Sequence, residues 1–447
     1  MSFPSVAPVQ PLVNNWSFPQ PEAFTWRGLP VVLLSDRELP VVHLRLLSLG
    51  GRSFQSGPGV AGLAANLARH GTRSYDSAGL AWRQDLLGAR ISSGASTDSL
   101  RTSVHALSEH LPAAVELLAE VGLHPTFPDE QVQRETEAAA ERRRHALRQP
   151  DTVARAWVAK GLYGGHPYGQ RPAVPDDLLA IRRPALHAWF QGARAVDRSL
   201  LVAVGDVTAE QLVVQLEDHF GGWTRSAGPL PAVSAPRAPE RTIVLVDRPG
   251  SEQASVLLGL PGLLRTDARY PAARVLAQAV GGGASSRLFR ELRDRRGLTY
   301  GCYAGLDTGR LAGDLSASFS CATEKAGEAL DVLLDELRRT ADRPLPSDEL
   351  EHARRYLVGA FPRAGASLSG LADLLSLRWL HGLEDDCWTA WPSRLEAVDA
   401  EACVDAARGL LRLDRAVLVV VGRANELRTA CSAHGPVIER PLEELPA

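Results

Sequence analysis

Two similar α+β domains, each a sheet covered by helices on one face, are the fold that this chain predicts. Three observations lead there. At 447 residues the chain is too long for one ordinary core. Short β-branched runs alternate with long amphipathic segments along its whole length. A stretch rich in Pro, Ala and Ser, "TRSAGPLPAVSAPRAPER", has no apolar period and divides the chain near its midpoint. The predicted domains are residues 1–223 and 242–447, joined by a linker at 224–241.

The elements follow in order. "LPVVLLSDRELPVVHLRLLSLGGR" reads as a strand pair. "GVAGLAANLARHGT", Gly59 to Thr72, is a loop glycine, a short Ala/Leu helix and a Gly-Thr exit. "HLPAAVELLAEVGL" and "DEQVQRETEAAAERRRHALR" have apolar residues at i, i+3 and i+4, and the second opens on acidic residues, as helices do. "SLLVAVGDVTAEQLVVQLEDHF" is an apolar strand, a Val204-Gly205 turn and a helix. Past the linker the pattern repeats. "QASVLLGLPGLL" echoes "PVVHLRLLSLGG", and "AVLVVVGRANELRTACSAHG", with its Val421-Gly422 turn, echoes the end of the first half. Between them lie the helical "EKAGEALDVLLDELRRTA" and "SDELEHARRYLVGAF". A period of about 215 residues is far too long for a solenoid and reads as a duplicated domain.

Composition narrows the function classes. Apolar residues make up 45% and charged residues 23%, an ordinary globular balance. A net charge of −3 gives no reason to expect a nucleic-acid or acidic-membrane surface. Lys160 and Lys325 are the only lysines, so arginine carries the positive charge, a pattern of codon bias rather than function. Five widely spaced cysteines without a C-x-x-C argue for reduced thiols in a cytosol. The N-terminus "MSFPSVAPVQPLVNNWSFPQ" lacks the basic start and apolar run of a signal peptide. No window approaches the ~20 apolar residues of a membrane span. A cytoplasmic protein is expected.

Motifs for common chemistries are missing. There is no G-x-S-x-G elbow, P-loop or dinucleotide fingerprint in strand–turn–helix context. "GGGASS" at 281–286 lacks the Gly-Lys-Ser/Thr ending of a phosphate loop. Zinc needs imidazoles or carboxylates gathered together, which a helix achieves at i, i+3 and i+4. The twelve histidines fail that test; the closest pair, His105 and His110, is five apart.

Taken together, several segments resemble the pitrilysin and mitochondrial-processing-peptidase-like metallopeptidases nearly end to end. They are "RGLPVVLLSDRELPVV", the helix at 59–72, "HPTFP" at 124–128, "GHPYG" at 165–169, "VDRPGSEQASVLLG", "GGGASSRLFRELRDRRGLTYGCYAG" and "PSDELEHARRYLVGAF". The resemblance implies two homologous domains of the LuxS/processing-peptidase type, each a mainly antiparallel sheet packed with helices. In smaller bacterial members two such chains pair into a clamshell around a peptide.

In that family a His-x-x-Glu-His helix supplies two zinc ligands and the general base, and a later glutamate of an E-x6-E pair completes the metal site. Carried over, the helix roles fall on Gly62, Ala65 and Asn66, and the glutamate pair on Glu135 and Arg142. A guanidinium cannot ligate a cation and would repel it. The neighbouring Glu141 points about 100° away around the helix. The resemblance therefore implies no metal or other cofactor in this chain and zinc in a partner. In the second half, Arg293 and Tyr300 match the family's arginine–tyrosine pair, which reaches across the clamshell to the substrate. Their N–H and O–H donors suit a carbonyl oxygen becoming an oxyanion. Seen by spacing alone, the same pair is a solvated helix arginine and a strand tyrosine packed in the core. Gly281, Gly282 and Gly283 match the family's glycine-rich loop, where backbone can approach an extended peptide closely.

The expectation is a non-catalytic subunit of a heterodimeric zinc peptidase, inactive alone and paired with a homologue that keeps His-x-x-Glu-His. Its substrate would be a peptide, such as a bacterial precursor or a natural-product leader. The rival is an inert assembly platform of the same fold, as in the core subunits of respiratory complexes.

Overall fold

A computed structural model describes residues 16–446. The first fifteen residues, on which part of the signal-peptide argument rests, lie outside the described residues. Two six-stranded sheets form the frame. The first contains β1 (Glu22–Trp26), β2 (Leu29–Ser35), β3 (Val41–Leu49), β4 (Arg90–Ala95), β5 (Ser99–Leu107) and β6 (Ser199–Gly205). The second contains β7 (Thr242–Asp247), β8 (Gln253–Pro261), β9 (Thr299–Thr308), β10 (Gly313–Ala322), β11 (Val417–Gly422) and β12 (Val437–Pro441). Their orders are β1-β2-β6-β3-β5-β4 and β12-β7-β11-β8-β10-β9.

Five strands of each sheet correspond in position and direction. β6 and β11 each run parallel to one neighbour and antiparallel to the other, and the remaining core pairings are antiparallel. The two strand–turn echoes legible in the sequence, at Val204-Gly205 and Val421-Gly422, are thus the same sheet position used twice. Only the outer strand differs. β1 pairs antiparallel with β2, whereas β12, from the far end of the chain, pairs parallel with β7.

Helices cover both faces of each sheet, not one. Each half keeps its main core on one face and receives a helix from the other half on the second. Val153, Val158 and Leu162 of the helix Pro150–Tyr163 pack on Val417, Val419 and Val421 of β11. Reciprocally, Leu371, Leu374 and Leu375 of the helix Leu368–His381 pack on Leu200, Val202 and Val204 of β6. This explains why β6 and β11 are buried at every position rather than at alternate ones, since a strand covered on both faces has no solvent side. The exchange also leaves one polar seam. Arg45 on β3 is buried and donates to Asp373 at 2.6 Å and to Ser376 Oγ at 3.2 Å, both on that helix.

Residues 224–241 contain no helix or strand, yet their start is held down. Asp197 accepts from Ser226 Oγ at 2.6 Å and from the Gly228 N–H at 2.7 Å. "GHPYG" turns out to be a strut between the halves. The Tyr168 hydroxyl donates to Asp98 Oδ1 at 2.6 Å and accepts from the Leu311 N–H at 3.0 Å. The Arg310 N–H donates to Asp98 Oδ2 at 2.9 Å, and Tyr163 donates to Asp314 at 2.7 Å. Burial, and then the Asp98 hydrogen bond, push the Tyr168 phenol well above its ordinary range, so it stays protonated and donating. Tyr168→Phe is expected to cost about 1–3 kcal/mol, because a buried carboxylate loses a donor and an amide loses an acceptor. A fall in the urea midpoint at constant slope would show it, and an unchanged midpoint would remove the strut.

Candidate functional site

Two groups of residues carry the expected chemistry, one in each half of the chain. The first lies on the helix Val60–Leu67. Gly59 starts it with φ +90°, and a Cβ there would come within 2.5 Å of Leu178, so both conformation and space select glycine. Val60, Ala61, Leu63, Ala64, Ala65 and Leu67 are buried, and Gly62 and Asn66 share the remaining face, one turn apart. Both line a cleft of about 1070 Å³. Glu135 and Arg142, two turns apart on the helix Asp129–Ala146, line it too.

The donor set here does not fit a zinc ion. A Cβ at Gly62 would meet nothing within 4 Å, so the first ligand position is empty space. Asn66 accepts from Arg69 Nη2 at 3.0 Å, and Ala65 has no exposure. Arg142 forms an ion pair with Glu135, so the surviving carboxylate is neutralised by the residue at the partner glutamate's position. Glu141 is directed elsewhere and pairs with Arg144 at 2.6 Å. Among the described residues, no three His, Cys, Asp or Glu side chains gather as a metal site.

The second group lies at the start of β9. The short helix Arg287–Phe289 continues into a π-helical turn, Arg290–Arg295, and Gly297 ends it with φ +58°. Single π turns within helices recur at functional sites. The Arg293 guanidinium stacks over Phe289 at 4.8 Å and over the Tyr300 ring at 5.1 Å. No acidic side chain pairs with Arg293 among the described residues. Tyr300 is 89% exposed, so a core role for this tyrosine is excluded. Its phenol and the guanidinium are both free to donate to something outside the chain.

The glycine-rich loop is more ordinary than its sequence. A Cβ on Gly281 would lie 2.2 Å from the Ala304 amide nitrogen of β9, so packing of the helix Tyr270–Gly281 on that strand already demands glycine. Gly282 sits against the Gln278 side chain, and Gly283 has open space around it. None of the three needs a positive φ. Ser285 Oγ and His352 Nε2 are 2.7 Å apart, and Glu349 binds both Arg287 and Arg290, so the loop is fastened to the helix Ser347–Ala364. Sequence reasoning picked out "PSDELEHARRYLVGAF" but assigned these two residues no task.

Among the described residues, His43 and the five cysteines lie in the interior. His43 and His105 face each other across β3 and β5 with ring centroids 6.1 Å apart, a pairing no local spacing reveals. Burial, then the Arg45 charge, hold His43 down at about 4. All five cysteines are free and buried, and burial pushes the Cys302 and Cys403 thiols up to about 12. Such thiols are poor nucleophiles at neutral pH.

Two models of one peptidase family match the chain. The one described as insulinase, peptidase family M16, matches residues 52–176, and the one described as the peptidase M16 inactive domain matches residues 180–357. An uncharacterized zinc protease of Streptomyces coelicolor is 27% identical over 325 residues, covering 71% of this chain and 69% of its own. One of Mycobacterium tuberculosis is 29% identical over 338 residues, covering 72% and 75%. A Helicobacter pylori protein named a non-peptidase homolog is 21% identical over 350 residues, covering 76% and 79%. The crystal structure of a peptidase M16 inactive domain from Pseudomonas fluorescens superposes with a TM-score of 0.84 at 26% identity, covering 90% of this chain and 98% of that one.

Proposed function

The chain belongs to the M16 peptidase family, and on that premise we propose that it is the non-catalytic subunit of a two-chain zinc peptidase. Its partner keeps His-x-x-Glu-His and supplies zinc and the base. This chain supplies Arg293 and Tyr300 to the substrate. One observation carries the reading: every metal and base position is chemically void, while Tyr300 stands 89% exposed with a guanidinium stacked on its ring. A platform protein has no use for a donor pair directed at solvent.

The pair suits peptide hydrolysis. As water adds to a peptide carbonyl, negative charge grows on its oxygen, and preorganised N–H and O–H donors stabilise that charge. β9 is an edge strand beginning beside Tyr300, a position where an extended peptide can pair with backbone. Gly283, with open space around it, leaves room for peptide backbone next to the loop. A short precursor or leader peptide is the substrate class this reading favours, and five buried free cysteines suit a reducing cytosol.

Mixing the purified chain with a homologue that keeps His-x-x-Glu-His is the direct test. Co-elution at micromolar concentration and peptide cleavage should appear together. Cleavage by the homologue at full rate, with the two chains eluting apart, would rule out a shared chamber.

A further inference from the structure

The cleft above Gly62 and Asn66 has no fit for zinc, but it has a pronounced charge. Among the described residues, five arginines line it, and Glu135 is the only acidic one. Two of the five are matched by carboxylates: Arg142 by Glu135, and Arg171 by Asp177 at 2.5 Å. The other three are not. Arg52 donates to Thr97 Oγ1 at 3.2 Å, a neutral acceptor. Arg143 donates through Nε to the Ala173 carbonyl at 2.6 Å, while its Nη2 is buried with no acceptor. Arg155 makes no hydrogen bond or ion pair with any described residue, and the carboxylate that feels its charge is Asp314, which Tyr163 already engages.

A buried guanidinium nitrogen without an acceptor is unfavourable, and such groups are normally satisfied by protein, water or ligand. Burial also holds the Arg143 pKa below the ordinary arginine value. The cleft lies at the upper end of volumes typical of ligand sites, far larger than one small anion requires. Planar guanidinium forks bind carboxylates through two parallel hydrogen bonds. The chain's net charge of −3 repels a long polyanion, while a local cationic cleft still captures short acidic segments.

We infer that this cleft binds an acidic stretch of peptide, with Arg52, Arg143 and Arg155 holding aspartate or glutamate side chains over Gly62. The site sits on this chain alone and does not depend on the two-chain peptidase reading. Binding to the isolated chain therefore tests it separately from any measurement of cleavage.

The probe is a labelled peptide amide, Gly-Glu-Glu-Ala-Glu-Asp-Ala-Gly, titrated with the full chain and followed by fluorescence anisotropy. The version with Gln and Asn in place of the acids is the comparison, both as amide and with a free C-terminal carboxylate. The acidic peptide should bind at least about tenfold more tightly than either comparison, and the gap should shrink as salt is added. Arg143→Gln and Arg155→Gln should each weaken it several-fold, and the exposed Arg408→Gln outside the cleft should not. Arg155 is exposed and unbonded, so its variant remains informative even if Arg143→Gln fails to fold. Equal binding of acidic and neutral peptides would overturn the assignment. So would displacement by a short oligo-uridine RNA or by inorganic phosphate at concentrations comparable to the acidic peptide.

Discussion

Tyr300→Phe is expected to reduce kcat of the proposed two-chain enzyme by ~10²-fold, the usual loss when one oxyanion donor is removed. The variant deletes one hydroxyl and keeps the ring on which Arg293 stacks at 5.1 Å. Because the ring is 89% exposed, almost no packing changes and the folded chain should be as stable as the parent. That separates chemistry from stability more cleanly than most active-site variants allow. A loss confined to kcat means the hydroxyl bond tightens in the transition state. A loss confined to KM means the tyrosine only grips the ground-state carbonyl. Arg293→Ala removes a long stem stacked on two rings as well as the charge, so co-elution with the partner must be checked alongside it. Wild-type kcat and KM for Tyr300→Phe would make this chain a wall of the chamber and no part of its chemistry.

The isolated chain is expected to hold no stoichiometric zinc after dialysis and to cleave no peptide. Ligand identity dictates this: glycine, alanine and asparagine stand where two imidazoles and a carboxylate would be needed, and Arg142 is ion-paired with Glu135. About one tightly bound zinc per chain by elemental analysis would contradict it. A rescue variant makes the argument two-sided. Gly62→His meets open space, Asn66→His lies one turn along the same face, and Arg142→Glu removes the repelling cation. The triple variant should acquire zinc yet remain inert, since Ala65 still supplies no base. Failure of the triple variant to bind zinc, with its fold intact, would mean that the cleft has changed shape as well as residue types.

Much of the fold was legible because local patterns report it. β6 and β11 are apolar runs ending in Val-Gly, and β3 and β8 are strands rich in Val and Leu ahead of a helix. Duplication followed from seeing that order twice. What the patterns could not report was which surface covers the second face of each sheet. "PDTVARAWVAKGLY" and "LSGLADLLSLRWLH" are amphipathic segments like their neighbours, and nothing within them says that each crosses to the other half. The contacts involved link residues more than a hundred positions apart, beyond the reach of any periodicity.

The site divides along the same line. The sequence by itself determined that Gly62, Ala65 and Asn66 offer neither an imidazole nor a carboxylate at the three helix positions. Residue type settles the chemistry of a single position. Only the tertiary structure decided which groups meet solvent and which meet each other. In β9 alternate residues face opposite sides, so sequence spacing allowed Tyr300 to be core or surface, and sheet placement made it surface. Packing of a helix against Ala304 accounted for Gly281, and Tyr168 became a strut because its hydroxyl reaches Asp98 and Leu311. Arg52, Arg143 and Arg155 come from three separate segments, and each alone reads as an ordinary surface arginine. Their shared cleft arises from distances between segments, which chain order does not encode.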